Sequence, residues 1–69
     1  MKYQAFYDNW KKYEIVRRSG VYNMITEATF AANAAGLTIE EYKDIINKYV
    51  PIAMEIEQEF GSVDSFLKN

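Results

Sequence analysis

A chain of 69 residues has room for one domain and one core, and at that size apolar burial comes close to balancing ordering entropy, so dense packing or oligomerisation must supply the margin. With no Cys and no His, disulfides, thiolate zinc sites, iron–sulfur clusters and cysteine nucleophiles are excluded, and the commonest general base and metal ligand are missing. The net charge of −2 divides into +3 over residues 1–20 and −5 over residues 21–69, a polarity suited to steering an anionic ligand or to pairing unlike faces of two copies.

Punctuation at Ser19-Gly20, Gly36, Pro51 and Gly61 cuts the chain into four helical segments and a tail. Helix 1, from about Tyr3 to Arg18, places Tyr3, Phe6, Tyr7, Trp10, Tyr13 and Val16 at spacings of three and four, which is one face of a helix. Helix 2, from about Val21 to Ala35, carries the stripe Val21, Met24, Ile25, Ala28, Ala31, Ala32 and Ala35, and Gly36 follows as a left-handed cap. Helix 3 has the clearest local signal. Thr38 and Glu41 form a capping box, with Leu37 and Tyr42 as its hydrophobic staple. Its stripe is Ile39, Tyr42, Ile45, Ile46 and Tyr49, and Pro51 ends it or opens the next helix at the first position. Helix 4 buries Ile52, Ala53, Ile56 and Phe60, and Ser62 caps a last turn from Val63 to Lys68 that returns Phe66 and Leu67 to the body. The expected fold is all-α: a compact single-domain bundle over residues 1–69, with about four short helices and a C-terminal helical turn. No apolar run approaches the ~18 residues that span a bilayer. Met1-Lys2-Tyr3-Gln4 lacks the pattern of a signal peptide, so a cytoplasmic location is expected.

Two surface features point to binding. The junction Arg17-Arg18-Ser19-Gly20-Val21-Tyr22-Asn23 ends one helix with two guanidinium groups and opens another whose free N–H groups could receive phosphate or carboxylate. Arg17, Arg18, Ser19, Tyr22 and Asn23 are therefore the candidate ligand-binding residues, with Tyr22 able to stack on a base and Asn23 to hydrogen-bond to it. The plainer reading makes Ser19 an N-cap and both Arg complements to a helix C-terminus. Opposite the helix 2 stripe, Phe30 projects outward with Tyr22, Thr26, Thr29 and Asn33 around it. Tyr22, Thr26 and Phe30 are the candidate interface. The 11 aromatic residues point to an interface as well as a core.

Two further patterns carry less. Ala32, Gly36 and the apolar positions around them match a helix-turn-helix, yet its second helix exposes Glu40, Glu41 and Asp44 against Lys43, which works against duplex DNA as a partner. The run Glu55-x-Glu57-x-Glu59 spreads its carboxylates around a helix and reads as a solvated face. No acid–base pair converges, so no catalytic residue, metal site or cofactor is expected, and the chain does not read as an enzyme.

The stretch from Tyr7 to Ala28, with Ala35-Gly36-Leu37 and Glu41-Tyr42, resembles the small, mostly uncharacterised accessory proteins of tailed bacteriophages. That resemblance implies a host-cell cytoplasmic setting and an anti-defence job, either trapping a phosphorylated ligand such as a cyclic nucleotide signal or blocking a host effector protein. The sequence thus predicts an oligomeric sequestering protein with a nucleotide-type ligand. The alternative is a protein–protein interaction module, or an inhibitor of a host protein, with a helix-turn-helix-like shape.

Overall fold

A computed structural model describes residues 1–68. A 3-10 turn, Gln4–Phe6, leads into five helices: α1 (Tyr7–Ser19), α2 (Ala28–Ala35), α3 (Ile39–Asn47), α4 (Tyr49–Phe60) and α5 (Val63–Lys68). The described residues contain no strand, and none of their helices is long and apolar enough to cross a membrane. The radius of gyration, 11.5 Å, is close to the roughly 11 Å expected of a compact domain this size.

Helix α1 is the centre of the bundle because its aromatic face meets three other helices. Tyr7, Trp10, Tyr13 and Val16 are buried along it. Trp10 stacks on Tyr49 of α4 at 5.2 Å and donates its indole N–H to the Tyr49 carbonyl at 3.2 Å. Tyr13 lies 5.2 Å from Tyr42 of α3, and Tyr7 meets Phe66 of α5 edge-on at 5.8 Å. Trp10, Tyr42 and Tyr49 have their polar tips hydrogen-bonded, whereas the buried Tyr7 hydroxyl has no partner among the described residues. Such ring packing is the dense core that a short chain requires. The aromatic excess is therefore mostly internal. Of the 11 rings, only Phe30 is exposed, at 66%.

Helix α3 begins where its cap residues predict. The Thr38 side chain accepts from the Glu41 N–H, and the Glu41 carboxylate accepts from the Thr38 N–H. Leu37 and Tyr42, the staple pair, are both buried. Before it, α2 ends on a Schellman arrangement, with the Gly36 N–H on the Asn33 carbonyl and the Leu37 N–H on the Ala32 carbonyl. Gly36 has φ 74°, which an L-residue adopts only with strain. Ser62 caps α5 as expected, accepting from the Ser65 N–H.

Three boundaries differ from the periodicity. Helix 1 does not run regularly from Tyr3, because residues 4–6 are wound as the tighter 3-10 turn. Helix 2 does not start at Val21. Asn23 takes up the local donors: its side-chain oxygen accepts from the N–H groups of Ile25 and Thr26, and the Glu27 carboxylate accepts from the Asn23 N–H. A side chain that satisfies the backbone in this way holds it in turns instead of a continuing helix. The first part of the expected stripe accordingly faces out, with Val21 and Ile25 exposed at 69% and 72%. Finally, the break between α3 and α4 falls at Lys48, and Pro51 is the third residue of α4. There it removes none of the helix's own hydrogen bonds, whereas in a helix running on from α3 its ring would clash with the Asn47 carbonyl. Tyr49 thus belongs to α4, and Ile39, expected in the α3 stripe, is 38% exposed.

Candidate functional site

The arginine pair at the end of α1 already holds an anion, and that anion is part of the chain. Glu14 lies three and four residues before Arg17 and Arg18, so helical geometry sets all three on one face. Arg17 grips the carboxylate in a fork, Nε to Oε1 and Nη2 to Oε2, each at 2.8 Å. Arg18 adds Nε to Oε2 at 2.8 Å and reaches with Nη1 to Asp64 of α5 at 2.7 Å. The Tyr49 hydroxyl donates to Glu14 Oε1 at 2.6 Å. The Glu14 side chain is only 1% exposed. Burial pushes its pKa up, but hydrogen bonds from Arg17, Tyr49 and Arg18 outweigh that and bring it down to about 2. Burial and then the Glu14 carboxylate push the Tyr49 hydroxyl up to about 12. Arg17 is held protonated above the ordinary range, chiefly by its bonds to Glu14.

The other junction residues are also engaged internally. The Ser19 hydroxyl donates to the Val16 carbonyl at 2.6 Å and accepts from the Val21 N–H at 3.3 Å. It closes the end of α1 and does not cap the next helix. Asn23 organises the turn described above, and Tyr22 is half-buried against the core. The structure therefore brings Arg17 and Arg18 together, but around Glu14, with Tyr49 and Asp64 completing the group. Glu14 was visible in the sequence at the i−3 and i−4 positions of the two arginines. Tyr49 and Asp64, 35 and 46 residues from their partners, left no local signal.

The second candidate surface is open. Phe30 is 66% exposed and lines a groove of about 340 Å³ with Thr29, Ala32, Asn33, Leu37 and Ile39. Thr26 is exposed too, in the turn before α2, whereas Tyr22 is not a surface ring. The side chains of Thr29 and Asn33 make no hydrogen bond within the described residues, which leaves a hydroxyl and an amide free at the groove. Its floor includes Ala32, buried against the bundle, and the Gly36 turn sets α3 beside α2.

The acidic surfaces have mostly local roles. Glu41 completes the capping box of α3, and its pKa is lowered by hydrogen bonds from Thr38. Asp44 pairs with Lys48. Glu55 is not simply solvated, since it accepts from the N–H groups of Lys2 and Tyr3, each at 2.6 Å, and ties the N-terminus to α4. Glu57 and Glu59 are exposed.

Comparison with protein-family models, with curated proteins and with solved structures found no match.

Proposed function

We propose that this protein is a protein–protein interaction module that recognises its partner through α2 and the α2–α3 turn. One observation carries the reading: of the 11 rings, only Phe30 lies outside the core, and it stands on a rigid helix at the edge of an apolar groove. Exposing a large ring costs solvation that a small domain has little margin to bear, and rings in such positions are typical anchors of interfaces. Free Thr29 and Asn33 side chains supply the polar rim such an interface uses.

Capture of a nucleotide or other phosphorylated ligand at Arg17–Asn23 is the weaker reading. Its two guanidinium groups are neutralised by Glu14 and Asp64, and a ligand would have to displace a buried, four-fold hydrogen-bonded carboxylate. Binding without catalysis, in the cytoplasm, and against a host protein of the kind the phage-like sequence style implies, completes the proposal.

Crosslinking in bacterial cells tests it. Wild-type protein should form adducts that Phe30→Asp loses and Glu57→Lys, on an exposed part of α4, retains. Equal adducts from wild type and Phe30→Asp would refute the assignment.

A further inference from the structure

The α2 surface is unlike the rest of the molecule in charge. From Ser19 to Ile39 the chain carries one of its ten acidic residues, Glu27, and none of its eight basic ones. The Glu27 carboxylate is itself turned to the Asn23 N–H. Helix α2 has no charged residue at all. Elsewhere, a two-fold contact would set like charges against each other, acidic ones on α3 and α4, where Glu40, Glu41, Glu57 and Glu59 are exposed, and basic ones at the N-terminal end, where Lys2 and Lys12 are exposed. Like charges brought together across an interface are strongly unfavourable. The α2 face is where a second copy meets none. A strongly basic or acidic partner, in contrast, would find nothing there to pair with.

The shape is also self-complementary. Phe30 is a projecting ring, and the groove beside it is lined by Thr29, Asn33 and Ile39 of the same surface. Because the ring on α2 adjoins a recess between α2 and the start of α3, a two-fold axis across α2 sends each ring toward the other copy's recess. Ala34, one helical turn after Phe30, is small and exposed, which lets the two helices approach closely.

We infer that a second copy of this chain occupies the α2 face, in a two-fold dimer whose Phe30 rings enter each other's grooves beside Ile39. This deepens the reading of α2 as a recognition surface and rests on it. Within the segment, Val21, Ile25, Phe30 and Ile39 are exposed at 69%, 72%, 66% and 38%, leaving on the order of 300 Å² of apolar side chain per copy. With all four covered on both copies and a polar rim added, the interface buries roughly 1,000 Å² in total, at the lower edge for a specific contact. Such a dimer is weak and comes apart on dilution.

Sedimentation velocity of the purified chain over a concentration series tests this. The wild type should pass from one-copy to two-copy mass as concentration rises. Phe30→Asp should stay at one-copy mass throughout with an unchanged far-UV spectrum. The chain has no native cysteine, so single-cysteine variants give a second measurement. Asn33→Cys should be joined efficiently by a short bis-maleimide, and Glu57→Cys should not. A wild type that keeps one-copy mass at the highest concentration overturns the inference, as does a Phe30→Asp variant that dimerises equally well or equal joining of the two cysteine variants. If the purified chain stays at one-copy mass while Phe30→Asp still loses its adducts in cells, the second copy is wrong and the recognition surface stands.

Discussion

Replacing Glu14 with Gln tests whether the arginine pair is internally neutralised. The native carboxylate accepts four hydrogen bonds, from Arg17, Arg18 and Tyr49, and the amide would turn an N–H₂ group toward a guanidinium. The displacement of the Glu14 pKa from 4.5 to about 2 corresponds to about 3 kcal/mol at roughly 1.4 kcal/mol per pKa unit. Both arginine side chains are 45% exposed, so water screens part of this, and about 2 kcal/mol is the expected loss at neutral pH. The sign follows from the folded carboxyl being more acidic than the unfolded one. Its contribution is complete above the unfolded value of 4.5 and is lost as pH falls toward the folded value of about 2. Urea denaturation of wild type and variant across that range should therefore show a stability gap that narrows on acidification. A gap that stays constant down to the acid end, or no gap at neutrality, would refute the carboxylate's assigned role.

Thr38→Ala removes the acceptor of the α3 capping box and should lower stability by about 1 kcal/mol in thermal or urea melts. Gly36→Ala places a Cβ in open space but at φ 74°, so its cost is purely conformational. About 1 kcal/mol is expected, and the same denaturation assay would show it. Tyr7 and Tyr49 are both pushed up to about 12, each first by burial and then by neighbouring carboxylates, Glu59 and Glu55 for Tyr7 and Glu14 for Tyr49. An ultraviolet titration should show their phenolates forming last. Their contribution to stability is complete below the ordinary tyrosine value of 10 and is lost as pH rises toward about 12.

Helix α3 was legible because its start is written in consecutive residues: Gly36 stops the preceding helix, Leu37 and Tyr42 clamp, and Thr38 and Glu41 cap. The segment from Val21 to Glu27 was not legible by period. Val21, Met24, Ile25 and Ala28 fall at helical spacing, but Asn23 holds the donors that a helix would use. The arginine pair shows a different limit. Two guanidinium groups at a helix end look the same in sequence whether they await a ligand or embrace an internal carboxylate. Tyr49 and Asp64, which help decide it, are brought in by tertiary packing. Phe30 was legible because a helix with an alanine face toward the core must direct its opposite side to water.

The central claim, that α2 is where this protein meets other proteins, is tested most directly by amide spectra of the ¹⁵N-labelled chain, dilute enough to be monomeric, with and without bacterial cytosolic extract. Signals from residues 28–39 should broaden or shift while those of α4 stay in place, and Phe30→Asp should abolish the effect. Unchanged α2 signals, or shifts confined to residues 17–23 on adding nucleotides, would contradict the account and return the arginine junction to first place.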